Sequence, residues 1–145
     1  MKILNKIGWW SNAYMKQFFK KKMVKKVTSK FFSEEELQRC DPPCSLQDMK
    51  QSTIYRADRA RTLAKMPFNL SCAYRSTEWD IERNRSGTGA HTTGNAIDIE
   101  CYSSESRFKI IKDLIEAGFN RIGVSCSFIH ADDSTRLPEN VIWTY

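Results

Sequence analysis

The chain of 145 residues holds only two histidines, and each has a carboxylate close by in sequence. His91 lies in Gly89-Ala90-His91-Thr92-Thr93-Gly94-Asn95-Ala96-Ile97-Asp98, ahead of a glycine-assisted turn, and Asp98 falls on the strand expected to follow. His130 lies in Ser127-Phe128-Ile129-His130-Ala131-Asp132, which reads as a second short strand. An imidazole, a carboxylate and a second imidazole from adjacent strands would make a three-ligand site whose fourth position is left to water, as a catalytic zinc requires. Bonds of about 2.0–2.2 Å would lower the pKa of the bound water to about 7 and give a nucleophile at neutral pH. By spacing alone, two histidines and an aspartate are more often unrelated core or surface side chains.

The elements that must position them read as one α+β domain with a small, mostly antiparallel sheet and flanking helices. Ser33 with Glu36 three positions on predicts a capping box for a short helix, which should stop before Asp41-Pro42-Pro43. Ser45 with Asp48 predicts a second capped helix running to about Lys65, its loose apolar face formed by Leu46, Met49, Ile54, Ala57, Ala60, Leu63 and Ala64. Period-two patterning predicts strands over Phe68–Tyr74 and Asn95–Cys101. A helix is expected over Ser104–Ala117 with Gly118 just past its end, then strands over Arg121–Val124, Ser127–Ala131 and Val141–Tyr145. The stretch from Ser76 to Asn95 has no regular pattern, and a loop of that length in a small domain points to function.

Composition narrows the classes further. With 41% hydrophobic and 28% charged residues the chain is globular, and it contains no apolar run near the roughly 18 residues of a membrane span. No repeat period recurs. The net charge of +6 is uneven: residues 1–30 hold nine lysines and no acid, and the rest holds fourteen basic and seventeen acidic side chains. The basicity belongs to the N-terminal extension and is no evidence for a nucleic-acid-binding domain. We therefore divide the chain into an extension, residues 1–30, and a domain, residues 31–145. In the extension Ile3, Ile7, Trp10, Tyr14 and Phe18 would form one stripe of an amphipathic helix. That stripe suits a helix on an anionic membrane surface, a helix docked on the domain or a partner, or a disordered tail; Met23 is an alternative start. A signal peptide is not recognised, because Ser11, Asn12 and Lys16 interrupt the apolar stretch. Cys40, Cys44, Cys72, Cys101 and Cys126 cannot all pair and lack zinc-finger spacing, so they read as small buried hydrophobes of a chain made in a reducing compartment.

Three blocks carry a resemblance to a known family. Tyr74-Arg75-Ser76, then Ser86-Gly87-Thr88-x-x-His91-x-x-Gly94-x-Ala96-x-Asp98, then Phe128-Ile129-His130-x-Asp132 resemble the zinc D-alanyl-D-alanine carboxypeptidase family, which includes vancomycin-resistance dipeptidases and phage endolysins. Phe31–Gln47, Ala117–Val124 and Val141–Tyr145 resemble its short branch from small single-stranded DNA phages and prophages. The likeness runs from about Phe31 to Tyr145. It implies the zinc peptidase fold of that family, His91, Asp98 and His130 as ligands of Zn2+, and Arg75 as the cation that holds the substrate carbonyl and its developing oxyanion.

Two positions depart from the pattern. Gly89 stands where many relatives have a serine, leaving Thr88 or Ser86 to replace its hydroxyl. Ser127 stands where better-known members place the acid that acts as general base. Asp132, on the same strand face as His130, would either take the water's proton as a catalytic residue or orient His130; Glu100 and Glu78 are weaker candidates. The expectation is a peptidase hydrolysing a bond of the peptidoglycan stem peptide, at D-Ala-D-Ala or at L-Ala-D-Glu, in phage lysis or cell entry. It would be made in the bacterial cytoplasm and act at the cell wall or periplasm, with membrane-surface contact through the extension and no specific nucleic acid. The alternative is a zinc-containing wall-binding or virion-structural module without turnover.

Overall fold

Serine caps set the first boundaries of the domain. The computed structural model describes residues 25–145. The expectations for residues 1–24, including the amphipathic stripe, lie outside the described residues. Helix α1, Glu34–Leu37, starts at Ser33 with the reciprocal Ser33–Glu36 capping box in place. Ahead of it the chain docks on the domain. The side-chain amide of Gln47 pairs with the backbone N–H and C=O of Val27, that of Gln51 pairs with Thr28, and Asp58 accepts from Ser29 Oγ and the Lys30 and Phe31 amides.

The single helix expected from Ser45 to Lys65 is two pieces. Ser45 and Asp48 do close a capping box, but on a 3-10 turn, Leu46–Asp48, after which Met49 and Lys50 are extended. Helix α2 is Gln51–Ala64. The break admits the turn at Gly94: the Lys50 amide donates to Gly94 O at 2.9 Å, and a Cβ on Gly94 would run into the Asp48 carbonyl. Gly94 also has φ +72, which only glycine adopts without strain.

The first strand is shorter than its pattern. Strand β1 is Leu70–Cys72, because beyond it the chain leaves the sheet and bonds to the His91 turn, with the Arg75 amide donating to His91 O at 3.3 Å. The stretch from Ser76 to Asn95 also holds helix α3, Thr77–Glu82, capped by Ser76 Oγ on the Trp79 amide, and a 3-10 turn, Ala90–Thr93. Strand β2 is Ala96–Glu100. Helix α4, Ser104–Ala117, ends at Gly118 with φ +102. Strands β3, Arg121–Val124, β4, Phe128–Asp132, and β5, Val141–Thr144, complete an α+β fold around a five-stranded mixed sheet.

The strand order is β1-β2-β4-β3-β5, antiparallel at three junctions and parallel between β3 and β5. Ile97, Ile99, Ile129, Ala131 and Ile122 are buried in one core with Ile54, Ala57 and Ala60 of α2 and Ile110 and Leu114 of α4. Because side chains alternate along strands, Asp98, His130 and Asp132 are left for the opposite face. Among the described residues no helix is long and apolar enough to cross a membrane.

Candidate metal centre

Register builds the site. One row across the sheet pairs Cys72 with Asp98, Asp98 with His130, His130 with Gly123 and Gly123 with Trp143, covering all five strands. The next row pairs Asp132 with Arg121. Gly123 has a steric role here: a Cβ would sit 2.8 Å from the Trp143 indole and 2.9 Å from the Tyr145 ring, so its absence lets both rings lie against β3. Opposite the sheet, the turn Ala90–Thr93 lowers His91 onto the row.

His91 Nε2, His130 Nδ1 and Asp98 Oδ1 converge. The separations are 3.1 Å between the two nitrogens, 3.2 Å from Asp98 to His91 and 2.8 Å from Asp98 to His130. The outer nitrogens are committed elsewhere. His91 Nδ1 faces the Ala73 carbonyl, which can only accept, and His130 Nε2 lies 2.9 Å from Asp132 Oδ2. In neutral rings those bonds place the protons outside and turn both free lone pairs toward Asp98. Three electron-pair donors then meet with no proton between them, which is unfavourable unless a cation enters. All three residues are buried.

The same conflict shows in the ionisation of the metal-free site. Burial opposes the Asp98 charge, but the His91 and His130 imidazoles outweigh it and hold the carboxyl well below its ordinary range. Burial likewise opposes the His130 charge, yet its bonds to Asp132 and Asp98 prevail and raise its pKa. Cys72 was expected only as a buried hydrophobe. It lies at the site, its thiol 3.8 Å from His91 Nδ1, pushed up to about 12 by burial and by the nearby Asp98 charge. Cys72, His91 and Asp98 place ligand atoms within 4.8 Å of one another, a group that could hold a metal ion.

Around this centre is a cleft of about 380 Å³ lined by Arg75, Arg85, Arg121, Asp132, Phe128, Leu137, Trp143 and Tyr145 together with the two histidines and Asp98. Arg75 stands at its wall, held by an ion pair from Nε to Asp80 Oδ1 at 2.8 Å, and Asp80 is itself buried on α3. Asp132 is almost wholly enclosed, at 1% exposure: Oδ2 faces His130, and both oxygens take the Arg121 Nε–H at 2.9 and 3.1 Å, with the Ser134 amide on Oδ1.

The structure therefore brings His91, Asp98, His130, Arg75 and Asp132 into one cleft. It leaves Glu100 and Glu78 exposed and outside the lining, as it does Ser86 and Thr88, which bond to each other at 3.1 Å. Arg121 and Asp80 went unnoticed in the sequence. Arg121 becomes visible only through the register opposite Asp132, while Ser76 followed by Glu78 and Asp80 was a usable helix-start signal. No family model, curated protein or solved structure matches the chain.

Proposed function

We propose that the protein is a zinc metallopeptidase acting on the peptidoglycan stem peptide, with His91 Nε2, His130 Nδ1 and Asp98 Oδ1 as the metal-holding atoms. The observation that carries this reading is the convergence of those three atoms at 2.8–3.2 Å, with the outer nitrogen of each histidine engaged elsewhere. Tetrahedral zinc with bonds of about 2.0 Å needs donors about 3.3 Å apart, so this set fits better than one built through Cys72. Cys72 approaches His91 at Nδ1, the nitrogen already bonded to Ala73 O. The choice of substrate rests on the sequence resemblance, and the cationic cleft suits a peptide that carries carboxylates.

A bound zinc supplies Lewis acidity, activating water and polarising the scissile carbonyl. The chain supplies the rest. Ala73 O and Asp132 fix the tautomers of His91 and His130 and keep their lone pairs on the metal side. Arg75, immobilised by Asp80, presents positive charge to an oxygen that becomes anionic in the transition state, where a preorganised donor gives most benefit. With both oxygens engaged, Asp132 acts as a positioning residue for His130 rather than as the proton acceptor.

Metal stoichiometry separates the two donor sets. We expect one zinc per chain, retained in Cys72→Ala and lost in His130→Ala. Retention in His130→Ala with loss in Cys72→Ala would overturn the assignment. The second reading, a zinc-holding wall-binding or virion module without turnover, draws on the cleft's acids: among the described residues, Asp98 and Asp132 are the only carboxylates that line it. It requires zinc binding without any cleavage of the stem peptide.

A further inference from the structure

We propose that Arg85 is a specificity-determining residue that binds a free carboxylate of the substrate peptide, carried within one or two residues of the bond cut. The proposal deepens the peptidase reading and rests on it for the position of that bond.

Arg75, Arg85 and Arg121 all line the cleft, but two of them already have their charge matched. Both Asp132 oxygens take the Arg121 Nε–H, and another nitrogen of the same guanidinium donates to Pro138 O. Arg75 pairs with Asp80 Oδ1 at 2.8 Å, its side chain is only 13% exposed, and its Nη1 lies 3.6 Å from Cys72 Sγ, on the row that holds Asp98 and His130. Arg85 reaches the same Asp80 oxygen only at 3.8 Å, too far for a hydrogen bond, and its side chain is 48% exposed. One buried carboxylate thus serves two guanidinium groups at the cleft wall, and a positive charge is left over at Arg85.

The fold holds that surplus charge in place. After α3 the chain doubles back, and the Arg83 and Arg85 amides both donate to Asp80 O, at 3.1 and 3.0 Å. Asn84 between them has φ 57, a left-handed conformation that asparagine adopts more readily than most residues. The Trp79 ring centre lies 3.7 Å from the Arg83 guanidinium, 5.3 Å from that of Arg85 and 5.8 Å from that of Arg75, all within cation–π range. One indole and one carboxylate offset the mutual repulsion of these cations only in part. An entering carboxylate offsets more of it and meets a planar donor fork that is already oriented, so little freedom is lost on pairing.

Placement follows from the shared Asp80 oxygen, which makes the Arg75 and Arg85 guanidinium groups neighbours. Consecutive Cα atoms of a peptide are about 3.8 Å apart. With the scissile carbonyl at Arg75, a carboxylate one or two residues along the substrate comes within reach of Arg85. Both candidate bonds offer one: the C-terminal carboxylate at D-Ala-D-Ala, and a glutamate carboxylate at L-Ala-D-Glu.

The zinc-loaded full-length protein and its Arg85→Gln variant would each be given a stem peptide ending in D-Ala-D-Ala, the same peptide amidated at its C-terminus, and the same peptide amidated at D-Glu. Calorimetry on chelator-treated samples repeats the comparison without turnover. Equal zinc content and thermal midpoints establish that the variant is folded. Amidation at one of the two places should raise KM and weaken binding about tenfold in the wild type, as expected for a half-exposed charged hydrogen bond, and cost the variant nothing. The place that matters names the carboxylate. An equal penalty in wild type and variant, or no penalty in the wild type, would overturn the proposal. No cleavage of any peptide, with the Arg85-dependent preference intact in calorimetry, would refute the peptidase and leave the carboxylate site standing.

Discussion

Replacing Asp132 by asparagine separates an orienting role from a proton-accepting one. Asp132 Oδ2 accepts from His130 Nε2 at 2.9 Å, and Oδ1 accepts from Arg121 Nε at 2.9 Å and the Ser134 amide at 3.1 Å. An asparagine has one acceptor oxygen for these donors. If it keeps the oxygen toward His130, its NH2 group opposes two N–H donors in a buried place. If it turns the oxygen toward Arg121, its NH2 group faces His130 Nε2 and drives the imidazole proton to Nδ1, the atom assigned to the metal. Either orientation weakens the metal site. Loss of such a partner typically costs 10–100-fold in metal affinity, about 1.4–2.7 kcal/mol. Competition with a chromogenic chelator measures the zinc Kd of both proteins, with hydrolysis rates compared at saturating zinc. Unchanged zinc affinity with a collapsed rate would refute the reasoning and make Asp132 the base.

Three further outcomes follow from the same geometry. In the zinc-free protein, the raised His130 pKa contributes stability that is present below its ordinary 6.5 and lost as pH rises through the higher folded value. The lowered Asp98 pKa contributes stability that is present above its ordinary 3.8 and lost as pH falls toward its folded value. The thermal midpoint of the zinc-free protein should therefore fall above neutrality, and saturating zinc should remove that fall; a flat zinc-free profile would contradict the account. Arg75→Ala should lower kcat by about 10²–10³ and leave zinc content intact, the cost of removing one preorganised oxyanion donor; an unaltered kcat would exclude Arg75 from that role. Gly94→Ala places a side chain at φ +72 and against the Asp48 carbonyl, so chemical denaturation should show a loss of about 1–3 kcal/mol. A neutral effect there would mean that the turn does not depend on this glycine.

What could be read from the sequence was local. The Ser33–Glu36 box, the helix Ser104–Ala117 with Gly118 after it, and the strand Arg121–Val124 are set by capping and periodicity within a few residues, and the structure has them at those positions. What could not be read was imposed from a distance. The helix expected from Ser45 breaks at Met49 because Gly94, far along the chain, fits against it. The strand expected to Tyr74 stops at Cys72 because the next backbone groups bond to the His91 turn. Helix α3 is only six residues long, too short for an apolar period to show. The site followed the same division. His91, Asp98, His130, Arg75 and Asp132 stood out by residue type and motif, whereas Arg121 reaches the cleft, Cys72 reaches His91 and Asp80 reaches Arg75 only through register and packing.

Intact peptidoglycan, incubated with the purified protein with and without a zinc chelator and followed by mass spectrometry of the released fragments, tests the central claim most directly. The expected result is a stem-peptide fragment whose release stops on chelation and returns with added zinc, its mass naming the bond cut. Absence of any fragment from protein that holds one zinc through His91, Asp98 and His130 would contradict the peptidase and leave the wall-binding module.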